Sequence, residues 1–157
     1  MAEIFNGGLD VSRLLESWRA SIVSKNLGAF VAFAGIVRAE NGVSALSFDI
    51  YEPLLAKWFD NWQKKARAKG AILFMAHSRG DVKIAESSFA AAIASAKRRA
   101  ALELIDVFVE DFKQNAPIWK YDVINGKRVF ALDRAFSLPH SGVLARANGD
   151  NSGFGGF

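Results

Sequence analysis

A chain of 157 residues, 51% hydrophobic and 23% charged, is long enough to bury one substantial core and too ordinary in charge to remain disordered. It has no cysteine and only two histidines, His77 and His140. That excludes a disulfide framework, a thiolate nucleophile and a cysteine metal site; no carboxylates at suitable spacing complete a histidine site, so no metal is expected, and a reducing cytoplasm is the simplest home. The net charge of +4 suits an anionic ligand or partner without separating nucleic acid from phosphate or acidic protein. The N-terminus has no basic region followed by an apolar run, so it does not read as a secretory signal, and no segment is apolar for long enough to span a bilayer.

From Asp10, the apolar residues Val11, Leu14, Leu15, Trp18 and Ile22 recur at helical spacing, with Asp10 or Ser12 available as a cap. The run Ala29 to Val37 is short, apolar and rich in branched and aromatic residues, which predicts a buried strand ending at Arg38. A polar loop over 39–42 leads to Leu46, Phe48 and Ile50, whose period of two marks a half-buried strand. Pro53 suits the first turn of a helix that presents Leu54, Leu55, Trp58, Phe59 and Trp62 on one side and stops at Gly70. Another apolar strand covers 72–76. His77-Ser78-Arg79-Gly80 reads as a turn, with extended chain resuming at Val82. Residues 86–96 are ambiguous, since their alanines favour helix while Phe89, Ala91 and Ile93 alternate with smaller neighbours; the alternation assigns a strand.

A long amphipathic helix follows over 97–115, carried by Ala101, Leu104, Ile105, Phe108 and Phe112. Pro117 cannot continue it and pushes Ala116 towards extended geometry, so Lys113 and Lys120 lie on different elements. Asn125-Gly126 then predicts a two-residue hairpin turn that sets Asp122 opposite Val129 and Lys120 opposite Ala131. Trp119, Tyr121, Val123, Phe130 and Leu132 share the other side, which is expected to pack on the domain and leave Lys120 lining an opening beside a small residue. Lys113, in the last turn of its helix, is favoured there by the helix dipole even without a functional role. Two ammonium groups converging on one opening disfavour each other's charged form, which suits lysine to acid–base work near neutrality. Arg38 is placed to offer a planar donor fork to a phosphate. Beyond Leu144 the chain turns to Asn, Gly, Asp and Ser, and residues 146–157 are expected to form a flexible Gly-rich tail.

Taken in order, Gly35-Ile36-Val37-Arg38, Tyr51-Glu52, the His77–Gly80 stretch, Lys113 and Ala116-Pro117-Ile118-Trp119-Lys120 resemble the large catalytic subunit family of molybdopterin synthase. The resemblance runs through most of the chain, and its most specific part is the last motif with a lysine seven residues upstream. It implies an α+β fold with a hammerhead-like mixed sheet, two to three amphipathic helices and a C-terminal β-hairpin, in one domain over 1–145. The implied reaction converts cyclic pyranopterin monophosphate (precursor Z) to molybdopterin, in molybdenum cofactor biosynthesis. Sulfur arrives on the thiocarboxylated C-terminal Gly-Gly of a small ubiquitin-like sulfur-carrier subunit, within a heterotetramer built on a homodimer of large subunits. No cofactor is implied.

Carried over by motif position, Lys113 and Lys120 form the catalytic pair, while Arg38 and Arg98 hold the anionic pterin substrate. Arg134 falls at a further basic position, and Lys97 stands where the family has histidine. The family's usual His-Arg-x-Gly departs here to His77-Ser78-Arg79-Gly80, which is read as structural. Arg98 and Lys113 lie fifteen positions apart on one helix, roughly 22 Å at about 1.5 Å per residue, so Arg98 is expected to serve a site across the homodimer interface. Phe157 follows Gly155-Gly156, so this tail presents no terminal glycine for a thiocarboxylate. Two other readings are an inactive homologue kept as an assembly partner and a basic nucleic-acid-binding module. Retention of both lysines opposes the first, and the core-facing positions of the aromatics oppose the second.

Overall fold

The computed structural model describes residues 1–131, in the order β1 (Glu3–Asn6), α1 (Val11–Ile22), β2 (Ala29–Ile36), β3 (Ala45–Ile50), α2 (Glu52–Ala68), β4 (Ala71–Lys83), β5 (Ser87–Ser95), α3 (Arg98–Asn115), β6 (Ile118–Ile124) and β7 (Lys127–Phe130). Seven strands form one sheet in the order β2-β5-β4-β3-β6-β7, with β1 pairing β4 in parallel and every other pair antiparallel. This is the mixed α+β sheet that the resemblance implies. The 146–157 tail, Arg134, His140 and Leu132 lie outside the described residues.

Helices cover both sides of the sheet. On one side α2 and α3 enclose the main core, where Leu55, Phe59 and Trp62 of α2 meet Leu104 and Phe108 of α3 over Leu73, Met75 and Ile93. On the other, Leu14 and Trp18 of α1 pack on Ala76, Ala90 and Ala92. The α1 start is capped by Asp10, whose carboxylate accepts from the Arg13 N–H at 3.0 Å, and Trp18 stacks on Phe74 at 5.5 Å. The two-sided cover explains β5, where Phe89, Ala91 and Ile93 face the main core and Ala90 and Ala92 face α1. Alanine favours helix in isolation, yet here its small size lets α1 approach the sheet closely, and packing overrides propensity.

Three expectations are corrected. The stretch His77–Gly80 is no turn: β4 runs unbroken from Ala71 to Lys83, because β1 bonds along Ala76–Arg79 and β3 along Gly80–Lys83. Gly80, at φ +74°, takes a backbone conformation that other residues resist, so the strand stays bonded where a turn signal stands. Among the described residues β2 is an edge strand flanked only by β5, and it is only partly buried, with Phe33 38% and Ile36 60% exposed. The hairpin has the predicted register, Asp122 opposite Val129, and the Ala131 N–H donates to the Lys120 carbonyl at 3.2 Å. Its packing is shared differently, however: Ile118, on the Lys120 side, enters the main core, whereas Tyr121 and Phe130 are only half-buried. β1 is too short to carry a pattern of its own and escapes pattern reading; its hydrogen bonds come from β4.

Candidate active site

A cavity of about 310 Å³ opens where the end of β2, the last turn of α3 and the middle of β6 meet, and it is lined by Arg38, Lys113 and Lys120 together with Glu40, His77, Phe48, Phe89 and Phe112. Each cation reaches it from a fixed piece of backbone. Arg38 follows Val37, whose N–H donates to Glu86 at 2.9 Å and whose carbonyl accepts from Ala85 at 2.8 Å, just past a register shift at Gly35/Ile36. Lys120 lies in β6 directly across from Phe48 of β3. Lys113 occupies the last turn of α3, which ends as Pro117 requires: Ala116 takes φ −66°, ψ 132°, and its N–H donates to Phe112 at 3.1 Å.

The α3 end is clamped to α2. One Asp111 oxygen accepts from the Trp58 and Trp62 indoles at 3.0 and 2.6 Å, and the other accepts from the Asn115 amide at 2.8 Å. Phe112 stacks on Phe89 with centroids 4.0 Å apart and planes at 9°. Lys113 also meets Glu110 at 3.5 Å, but both side chains are about 60% exposed, so water screens that pair and leaves the ammonium available to a ligand.

The floor holds a group that the sequence reading treats as structural alone. His77 is 2% exposed, with its ring edge-on to Phe48 at 4.9 Å and near Phe112 at 5.5 Å. Burial pulls its pKa from 6.5 down to about 4, against the opposing effect of its hydrogen bond to Ser78. The ring is therefore neutral, with Nδ1–H donating to the Ser78 carbonyl at 2.7 Å. Strand parity could have revealed it, since Leu73, Met75 and His77 fall on one side of β4. Glu40 reads only as loop, and nothing local marks it as part of a site.

The remaining candidates are elsewhere. Lys97 and Arg98 sit exposed at the start of α3, at the opposite end from Lys113, and neither lines the cavity. Arg134 lies outside the described residues. Arg79 pairs with Glu52, which joins two stretches that the sequence keeps far apart. Among the described residues no group of three or more His, Asp or Glu could hold a metal, and no helix is long and apolar enough to cross a membrane.

Residues 7–115 match the family model described as MoaE protein. The chain is 50% identical over 145 residues to the molybdopterin synthase catalytic subunit of Helicobacter pylori strain ATCC 700392 / 26695, spanning 92% of this chain and all of that protein. Among solved structures it resembles the complex of subunits 1 and 2 of the molybdopterin-converting factor from Helicobacter pylori 26695, with a TM-score of 0.83 at 50% identity, covering 85% of this chain and 92% of that one. Molybdopterin synthase from Staphylococcus aureus is similar at a TM-score of 0.71 and 25% identity, covering 82% and 94%. A match of this extent, in a fold that draws three cations of the predicted set into one cavity, settles the placement: the chain belongs to the MoaE family of molybdopterin synthase catalytic subunits.

Proposed function

We propose that this chain is the catalytic subunit of a molybdopterin synthase and converts cyclic pyranopterin monophosphate to molybdopterin with sulfur delivered by the C-terminal thiocarboxylate of a small ubiquitin-like carrier. The observation that carries the reading is the convergence of Arg38, Lys113 and Lys120, from three separate elements, on one cavity. Its aromatic walls suit the flat pterin, and its cations suit both the substrate phosphate and the carrier's acidic terminus. Lys113 and Lys120 serve as acid–base groups and hold the reacting ends together; Arg38 holds the phosphate.

Arg98 and Lys97 complete the site of a second copy of the chain, with Arg134 as a further anion-binding residue. Distance along α3 supports this, since one compact ligand cannot span the helix. The Helicobacter pylori relative in complex form supports a small-subunit partner for this chain. Absence of cysteine supports a reducing cytoplasm.

The test is turnover with thiocarboxylated carrier and cyclic pyranopterin monophosphate. Lys113→Ala and Lys120→Ala are each expected to lower kcat by about 10²- to 10⁴-fold, the usual contribution of a positioned acid–base group. Wild-type rates in either variant would remove that lysine from the chemistry, and no turnover by the wild-type pair would remove the function.

A further inference from the structure

The cavity contains an anion of its own. Glu40 lines it beside Arg38, Lys113 and Lys120, and its carboxylate meets the Arg38 guanidinium at 2.5 Å. Glu40 is the more enclosed partner, with its side chain 29% exposed against 80% for Arg38. The arginine assigned to the substrate phosphate thus already has a carboxylate on it.

The backbone that carries Glu40 is anchored, and the contact itself is a side-chain one. The loop is tied at one end through Val37 to Glu86 and Ala85, and at the other through Ser44, whose N–H and hydroxyl both donate to the Val123 carbonyl at 2.9 and 3.0 Å. Between these anchors, Asn41 and Gly42 are both left-handed, at φ 45° and 76°, and a side chain at Gly42 would meet nothing within 4 Å. The Glu40 carbonyl also accepts from the Val43 N–H at 2.8 Å and Val43 is buried, so the turn stays in place and release of Arg38 falls to rotation of the Glu40 side chain. An ion pair this exposed is weak, and a phosphate dianion engages an arginine fork better than a single carboxylate oxygen does.

We propose that Glu40 is an internal counter-anion which holds Arg38 until substrate arrives and is then displaced by the substrate's phosphate, so that it sets the affinity of the site for phosphate-bearing ligands. This rests on the reading of Arg38 as the phosphate-holding residue. The carboxylate also raises the threshold for weakly held anions, since any ligand must out-compete it before it gains the arginine.

The experiment is titration of the protein with inorganic phosphate at constant ionic strength, followed by NMR shifts of the 37–44 loop, in the wild type, Glu40→Gln and Arg38→Gln. Glu40→Gln is expected to tighten phosphate about threefold or more, the scale of an exposed ion pair, and to lower KM for the phosphorylated pterin without raising kcat. Unchanged or weaker phosphate binding in Glu40→Gln, with binding still lost in Arg38→Gln, would overturn the counter-anion and leave the anion site standing. A fall in kcat of about a hundredfold in Glu40→Gln would also overturn it, by giving the carboxylate a part in the chemistry. If Arg38→Gln binds phosphate as the wild type does, or if neither the wild type nor Glu40→Gln binds it at all, the anion site itself falls and the proposal with it.

Discussion

Acidification should weaken this fold through His77, and the size of the effect follows from its burial. In the folded chain the imidazole sits among Phe48, Phe89 and Phe112 and is held neutral, with its pKa down at about 4. In the unfolded chain it titrates near its ordinary 6.5. Below that value the unfolded state takes up a proton which the folded state refuses, so stability is full above about pH 6.5, declines as pH falls, and levels off below about pH 4. Between pH 7.5 and pH 5.0 the loss is about 2 kcal/mol, at about 1.4 kcal/mol for each pH unit of separation. For a domain of this size that corresponds to a drop in Tm of about 4–8 °C. His77→Gln isolates the histidine, because the variant keeps every other titratable group and a donor for Ser78 while losing the titration. Thermal melts of both proteins across pH 7.5 to 5.0 are expected to converge as pH falls. Parallel curves would refute the reasoning. Should the variant fold poorly, ring-proton NMR of wild-type His77 tests the same point, and a midpoint near 6.5 would show that the ring is not held neutral by burial.

Asp111→Ala is expected to cost about 2–4 kcal/mol in urea unfolding, because it strips the acceptor from the Trp58 and Trp62 indoles and from Asn115, and Trp62 is buried. Asp111→Asn, which keeps an acceptor, should lose less, and a loss below about 1 kcal/mol in the alanine variant would mean that water replaces the carboxylate. For the shared site, mixing an inactive Arg98→Ala chain with an inactive Lys113→Ala chain should restore part of the turnover, since a mixed pair rebuilds one intact site. No recovery after exchange of subunits, checked by mass, would end the case for Arg98 acting across an interface.

Much of the framework is legible in the chain. The Asn125-Gly126 dipeptide, at φ 51° and 73°, specifies a tight hairpin through its own backbone preferences, and register then follows by counting. Pro117 likewise ends α3 by local sterics, which separates Lys113 from Lys120 on two elements. β5 is harder, because alanine favours helix and only alternation with Phe89 and Ile93 points to a strand. Where pattern reading fails, the missing information is nonlocal. Gly80 carries a turn signal that neighbouring strands override, and β2 has a buried composition although the sheet leaves it at an edge.

Sequence alone determined the order and type of most elements and the residues that the family resemblance marks, since periodicity, proline and Asn-Gly act between neighbours along the chain. Tertiary structure decided which of those residues share a cavity. It joined Arg38, Lys113 and Lys120 and left Lys97 and Arg98 at the far end of a rigid helix. It also made His77 a neutral floor and Glu40 the partner of Arg38. Burial and ion pairing depend on what distant segments bring alongside, and that is set only when the two sides of the sheet are packed.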